Sequence, residues 1–357
     1  MRILQIIDSL DAGGAERMAV NYANGLVNEV EFSGLVATRK EGLLLDQIQP
    51  SVSYLFLRKK SRLDIGAVFR LRSYALKNKV THIHAHSTSF FIAFLLKLTL
   101  PSLKIIRHDH YGNNEFLEDR PYSVLKLTAF LFDGAITVNQ NLKEWSEKVL
   151  KAKNVIYLPN FAGKDINVEK NTVLKGFKGK RIVCLANLRP QKDHFLLLEV
   201  AEKLKVSYPE WTFHLVGKDF EDDYSSLIKG SIRKKELENS VFIYNSRQDI
   251  FNILNQADIA VLTSKSEGFP VALLEYGQSK KPVVVTNVGE VPFIIKHQYN
   301  GLLVSNSNAE TFCEAIVEYI ENIDLRFSLG NQLENTISEN FSEKAVIKKY
   351  LKWMHLS

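Results

Sequence analysis

The chain has 357 residues, 45% of them hydrophobic and 24% charged, a length that favours two domains and a composition that excludes a disordered or fibrous protein. Its two cysteines, Cys184 and Cys313, lie far apart without partners at metal-ligand spacing, which argues for a reducing, cytoplasmic setting and against a disulfide framework or a zinc site. The formal net charge is +6, and residues 1–165 carry all of the excess, with 22 Lys and Arg against 16 Asp and Glu.

The first eight residues read as a strand running into a polar loop, with no signal core behind it. The glycine turn Asp11-Ala12-Gly13-Gly14-Ala15-Glu16 opens a helix over 15–28, where missing side chains let backbone amides approach a phosphate. Further strands are predicted at 34–37, 52–57, 82–85, 105–107, 135–138 and 155–158, and a second helix at 87–98. Such alternation predicts a parallel sheet covered on both faces, with ligands at the carboxyl ends of its strands. The most apolar run, 90–100, is broken by Lys97 and falls short of the ~18 residues of a membrane span.

Much of the basic excess lies in Arg58, Lys59, Lys60, Arg62, Arg70, Arg72, Lys77 and Lys79. A helix over 62–79 would carry Leu63, Ile65, Val68, Leu71 and Leu76 as an apolar stripe, which suits an anionic membrane surface or lipid headgroup; a merely solvated basic helix is the plain alternative. No nucleic-acid partner is expected, because no helix-turn-helix, zinc-finger or RNA-recognition signature accompanies these cations. At two strand ends, period-two spacing puts His84 and His86 on one face, and His108 and His110 likewise. They suit metal ligands, or neutral imidazoles that hydrogen-bond substrate hydroxyls; no helix bears H-E-x-x-H, and no metal site is expected.

A polar stretch over 162–180 reads as an interdomain linker, after which strands resume at 181–186, 212–216, 241–244, 258–263, 282–286 and 302–304. The first of these ends in Asn187-Leu188-Arg189-Pro190-Gln191-Lys192, followed by a helix over 195–204. Arg189 and Lys192 offer a fork and a point charge to a diphosphate. Glu221-Asp222-Asp223 reads as a solvated loop and is not a D-x-D metal motif. The strand at 259–263 then feeds Ser264 to Gln278, with Pro270 expected at the first helical residue. This arrangement puts Glu267 before the helix, Glu275 inside it, and the free amides of Gly268 and Phe269 between them. It reads as a cradle for a nucleotide-sugar, its amides facing phosphate and its carboxylates accepting from hydroxyls; an ordinary strand-loop-helix with a solvated Glu275 is the alternative.

Taken together, the opening Gly13-Gly14, the H-A-H of His84 to His86, Pro159-Asn160, Asn187 to Lys192 and the Glu267/Glu275 pair resemble the family 4 retaining glycosyltransferases of GT-B fold. The resemblance implies an α/β protein of two doubly wound, Rossmann-like domains facing across a cleft: an acceptor-binding domain at 1–165 and a nucleotide-sugar domain at 166–340. A C-terminal helix within 341–357 would cross back to the first. It implies that Glu267 contacts the donor sugar and Glu275 the ribose, and that Lys192 neutralises the diphosphate. His110, with His108 as fallback, would reach the sugar, and Gly268, Phe269 and the neighbours of Pro270 would flank it. His86, Gly13 and Gly14 complete the substrate contacts. The family's usual arginine is Asn187 here, so Arg189 is expected to supply the fork, and Glu290 replaces a family glycine after Gly289.

The implied reaction is retaining transfer of a sugar from a UDP- or GDP-sugar to a saccharide acceptor linked to a polyprenyl diphosphate, in bacterial surface-polysaccharide assembly, without a metal or other cofactor. It would run in the cytoplasm or peripherally at the inner face of the plasma membrane. A nucleotide-sugar epimerase of the same architecture and a non-catalytic nucleotide-sugar binder are the alternatives.

Overall fold

The computed structural model describes residues 1–11, 13–111, 117–161, 163, 169–305 and 308–356. The chain divides into two compact units, Met1–Ile166 with Ser342–Ser357, and Asn167–Phe341.

Unit 1 runs β1 (Arg2–Ser9), α1 (Gly14–Gly25), β2 (Phe32–Lys40), β3 (Ser53–Phe56), α2 (Ile65–Lys77), β4 (His82–His86), α3 (Phe90–Thr99), β5 (Lys104–Asp109), α4 (Ser123–Thr128), β6 (Gly134–Thr137), α5 (Gln140–Lys148) and β7 (Val155–Tyr157). The strands form one parallel sheet in the order β3-β2-β1-β4-β5-β6-β7. The order reverses beside β1, so the loops after β1 and β4 diverge and leave room for a ligand. Buried Ile, Leu and Val on both faces account for the near-continuous apolar strands.

Unit 2 runs β8 (Arg181–Leu185), α6 (His194–Ser207), β9 (Thr212–Val216), α7 (Asp223–Lys234), β10 (Val241–Tyr244), α8 (Ile250–Gln256), β11 (Ile259–Leu262), α9 (Val271–Gln278), β12 (Val283–Thr286), α10 (Val291–Ile294), β13 (Leu302–Val304), α11 (Ala309–Glu321) and α12 (Ile323–Asn340). Its parallel sheet has the order β10-β9-β8-β11-β12-β13, with the reversal between β8 and β11. The final helix, α13 (Glu343–Leu356), belongs to unit 1. There Tyr350 packs against Tyr22 of α1 at 5.0 Å between ring centroids, and Trp353 donates to Asn154 Oδ1 at 3.0 Å.

Several expectations change. The basic helix begins at Ile65, because the Asp64 side chain accepts from the Ala67 amide and caps it. Its expected apolar stripe splits: Val68 and Leu71 are buried, whereas Leu63, Ile65 and Leu76 are exposed together with Phe69. From 169 onward the expected linker is part of unit 2, where Thr172 donates its amide and hydroxyl to buried Asp249 at 2.8 and 2.7 Å. Polar composition there signals a buried hydrogen-bond anchor, not a free tether. Asp222 likewise caps α7 by accepting from Ser225, so the acidic run is a helix start.

Candidate active site

In unit 2 the carboxyl ends of β8, β11 and β12 carry the groups that the sequence singled out. The helix α9 starts one residue later than expected, with Pro270 as its N-cap in an extended conformation and Val271 as the first helical residue. Tyr276 fixes this helix to the sheet: its hydroxyl accepts from the Leu185 amide at 2.7 Å and donates to the Val261 carbonyl at 3.2 Å. Glu267, Gly268, Phe269 and Glu275 are all buried, which removes the solvated reading of Glu275. Burying two carboxylates within nine residues is costly without compensation.

For Glu267 the compensation is visible. Its Oε1 accepts from Lys192 Nζ and from Ser264 Oγ, each at 2.6 Å. Lys192 reaches it because the loop after β8 is pinned to the end of β11: Thr263 Oγ1 donates to the Lys192 and Asp193 carbonyls at 3.0 and 3.1 Å, and the Lys265 amide donates to the Gln191 carbonyl at 2.8 Å. Asp193 turns the chain there in the left-handed region, φ +46°, and its carboxylate pairs with Lys265 at 3.3 Å. From the other side, Gly289 adopts φ +50° and lies so close that a Cβ there would stand 1.9 Å from the Glu267 carbonyl oxygen. A side chain at that position would push Glu267 out of place, so the glycine is required. Glu290, buried, follows it and donates its amide to the same carbonyl at 3.4 Å.

The other two residues of the basic loop are placed differently from Lys192. Asn187 Oδ1 accepts from the Lys218 amide at 2.7 Å, and Leu188 donates to the Lys218 carbonyl, so Asn187 clamps its loop to the end of β9. Arg189 is exposed, with its guanidinium over the Phe220 ring at 4.3 Å and no ion pair among the described residues. Only Lys192 of the expected pair therefore contacts Glu267 in this conformation. Thr263, Ser264 and Gly289, read from the sequence only as a strand end, the start of the loop and the glycine before Glu290, hold the constellation.

In unit 1 four histidines form a ladder on one face of β4 and β5. His84 Nε2 meets His108 Nδ1 at 3.1 Å, and His86 Nδ1 meets His110 Nε2 at 3.0 Å. His86 Nε2 reaches Gln5 Oε1 at 2.9 Å. With the amide so oriented, its oxygen can only accept, so His86 carries its proton on Nε2, accepts at Nδ1, and makes His110 the Nε2–H tautomer. Burial pushes His84, His86 and His108 well below the ordinary imidazole range, and lowers His110 to about 4. His110, unlike the other three, is partly exposed. One nitrogen from each of His84, His86 and His108 lies within 4.8 Å of the others, a spacing open to a metal ion. The hydrogen-bonded pairing is equally the arrangement of neutral imidazoles.

Gly13 is the extended N-cap of α1, and the space over Gly14 is open, with no atom within 4 Å of a Cβ built there. Ala12 of the same turn lies outside the described residues.

Two doubly wound parallel-sheet units, one with buried carboxylates, a lysine and glycine-lined loops at its strand ends, define the class as α/β, and comparison with known proteins identifies which α/β proteins the chain resembles. Residues 165–336 match the family model described as glycosyl transferases group 1, and residues 12–162 match that of glycosyltransferase family 4. An uncharacterized glycosyltransferase of Haemophilus influenzae is 23% identical over 350 residues, 95% of each chain. A UDP-Gal:alpha-D-GlcNAc-diphosphoundecaprenol alpha-1,3-galactosyltransferase of Escherichia coli is 23% identical, covering 93% of this chain and 89% of that one. Among solved structures, Anabaena Alr3699/HepE in complex with UDP and glucose shares the fold at a TM-score of 0.82, with 19% identity and 99% of each chain covered.

The chain belongs to the group 1, family 4 glycosyltransferases of GT-B fold. It is a transferase acting on nucleotide-sugars, with homologues in bacterial polysaccharide biosynthesis.

Proposed function

We propose that this chain transfers a sugar, with retention of anomeric configuration, from a UDP- or GDP-sugar held by unit 2 to a saccharide on a polyprenyl diphosphate held by unit 1. The observation that carries the reading is the buried Glu267, bonded to Lys192 and Ser264 at 2.6 Å inside a loop that Gly289 permits. A carboxylate and an ammonium side by side suit the two ends of one ligand: Glu267 accepts from sugar hydroxyls, and Lys192 answers the charge that grows on the departing diphosphate.

Glu275 takes the ribose, and the amides of Gly268, Phe269 and Val271 face the phosphate and sugar. The bond from the anomeric carbon to the diphosphate oxygen breaks, a bond to the acceptor oxygen forms on the same face, and the acceptor proton passes to a departing phosphate oxygen. His110 bonds a sugar hydroxyl, with His108 and His86 behind it, and Gly13 and Gly14 approach the diphosphate. Arg189 joins Lys192 by leaving Phe220. No metal is required, since the lysine and arginine supply the positive charge.

The lipid-linked acceptor draws support from the Escherichia coli relative, a UDP-Gal:alpha-D-GlcNAc-diphosphoundecaprenol alpha-1,3-galactosyltransferase. Peripheral attachment at the inner face of the plasma membrane draws support from exposed Leu63, Ile65 and Phe69 beside Arg62 and Arg70. Among the described residues no helix is long and apolar enough to cross a membrane.

The test is binding and slow hydrolysis of UDP-, GDP- and ADP-sugars by the wild type and by Glu275→Ala, with magnesium and with chelator. Turnover of one donor in chelator, lost in Glu275→Ala, is the expected result. Product formed from donor alone by epimerisation, binding without turnover, or indifference to Glu275 would each overturn it.

A further inference from the structure

A second constellation lies wholly in unit 1, at the carboxyl ends of β4 and β5, around a cavity of about 550 Å³. Among the described residues its charged lining is unbalanced: Arg62, Arg107 and Arg120 accompany a single carboxylate, Asp109. Burial alone would raise the Asp109 pKa, but the adjacent Arg107 and Arg120 guanidiniums hold it well below the usual carboxylate range. It therefore stays ionised and cancels one of three positive charges.

The two inner arginines are built into the wall. Arg107 donates to Asp109 Oδ2 at 2.8 Å and to Ser146 Oγ at 3.1 Å. Arg120 donates to both Asp109 oxygens at 2.8 and 2.9 Å, and its guanidinium lies against Tyr111 and Trp145, 4.4 and 4.5 Å from the ring centroids. Each guanidinium has five N–H groups, and each spends two on these partners among the described residues. The side chains of Arg107 and Arg120 are only 3% and 11% exposed. A surplus cation so nearly buried is costly unless an anion joins it.

Two more observations face the same space. Arg62 is exposed, with its guanidinium over the Phe91 ring at 5.0 Å and no ion pair among the described residues. Ser87, a non-glycine residue, is held at φ +50° on the rim, a strained backbone of the kind found where a ligand is clamped. The same cavity is also lined by apolar side chains, those of Phe90, Pro121, Val124 and Leu125.

We propose that this cavity binds the diphosphate group of the acceptor, with Arg62 and Arg120 as its forks and the apolar wall against the first units of a prenyl chain. The inference rests on the assignment of the acceptor to unit 1 and supplies the residues that would recognise it. Planar guanidiniums match the oxygens of a diphosphate two at a time, and an apolar wall beside them separates a prenyl diphosphate from a free anion.

The test is calorimetric titration of the full chain with geranyl diphosphate and with inorganic pyrophosphate, for the wild type, Arg62→Ala, Arg120→Lys and Lys192→Ala. Geranyl diphosphate should bind more tightly than pyrophosphate, weaken about tenfold in Arg62→Ala for the loss of one charge-assisted contact, weaken in Arg120→Lys, and be unchanged in Lys192→Ala. Arg62 is exposed, so its removal leaves the fold intact and keeps the result readable even where Arg120→Lys fails to fold. No binding, binding of pyrophosphate only, or sensitivity to Lys192 in place of Arg62 would overturn the proposal. Nucleotide-sugar binding, measured on the same samples, reports on unit 2 separately: its absence sinks the transferase reading while the prenyl diphosphate titration still decides this one.

Discussion

Acidification should destabilise this protein through its histidine ladder. His84, His86 and His108 are neutral in the folded state because burial, with the neighbouring imidazoles and, for His108, Arg107 adding to it, opposes their charging. The faces packed on them, Tyr22 of α1 and Tyr350 of α13, bring no carboxylate to offset that. In the unfolded chain each titrates near 6.5, so as pH falls below that value the unfolded state takes up protons that the folded state refuses. Stability is thus full above about pH 6.5 and lost below it. At pH 5.5 each imidazole costs about RT ln 11, or ~1.4 kcal/mol, so the three together cost ~4 kcal/mol of a total that is usually 5–15.

The assay is urea denaturation at pH 7.5 and 5.5, followed by tryptophan fluorescence, for the wild type and the double variant His84→Gln/His108→Gln. Other buried histidines, among them His194 and His214 in unit 2, each lowered by burial to about 4 and about 3, contribute equally to both proteins and cancel. The double variant should lose ~3 kcal/mol less than the wild type between the two pH values, whatever its stability at pH 7.5. Equal losses in the two proteins would refute the reasoning, because they would mean that the ladder charges without unfolding.

Other expectations concern unit 2. Lys192→Met removes the cation from buried Glu267 and should cut sugar transfer by about 10²-fold or more, read as kcat at saturating donor; Ser264 keeps one hydrogen bond on that carboxylate, so the loss of stability should be smaller than for a carboxylate stripped of every partner. Gly289→Ala puts a Cβ into the Glu267 carbonyl and should weaken nucleotide-sugar binding at least tenfold, at a strain cost of about 1–3 kcal/mol; isothermal titration and a thermal melt separate the two effects, and unchanged affinity would show that the loop can yield. Asp249→Ala strips both bonds from Thr172 and should lower unfolding free energy by about 1–3 kcal/mol without changing donor affinity, as measured by chemical denaturation.

Much of the architecture was legible in the chain. Apolar, β-branched runs alternating with helical stretches specify two parallel sheets, since only strands covered on both faces read as continuous hydrophobic segments. The strand, loop and helix that carry Glu267 and Glu275 were legible because strand, proline and helix geometry act over neighbouring residues. Lys192 was placed near that loop by its position after a strand, and the structure supplies the contact.

Other features depended on residues that meet only when the chain folds. Glu267 and Gly289 are separated by a helix and a strand, so nothing local reveals that a Cβ at one would collide with the carbonyl of the other. Arg189 stacks on Phe220, and Asn187 clamps Lys218, because β8 and β9 lie side by side. Thr172, in a stretch that reads as a tether, is held by Asp249 across the fold of unit 2. The surplus of arginines over carboxylates around Asp109 arises the same way, since Arg62, Arg107 and Arg120 come from three separate segments. Local periodicity is written in adjacent residues and survives reading as a string; charge balance, burial and steric fit are sums over neighbours in space, and those neighbours exist only in the folded chain.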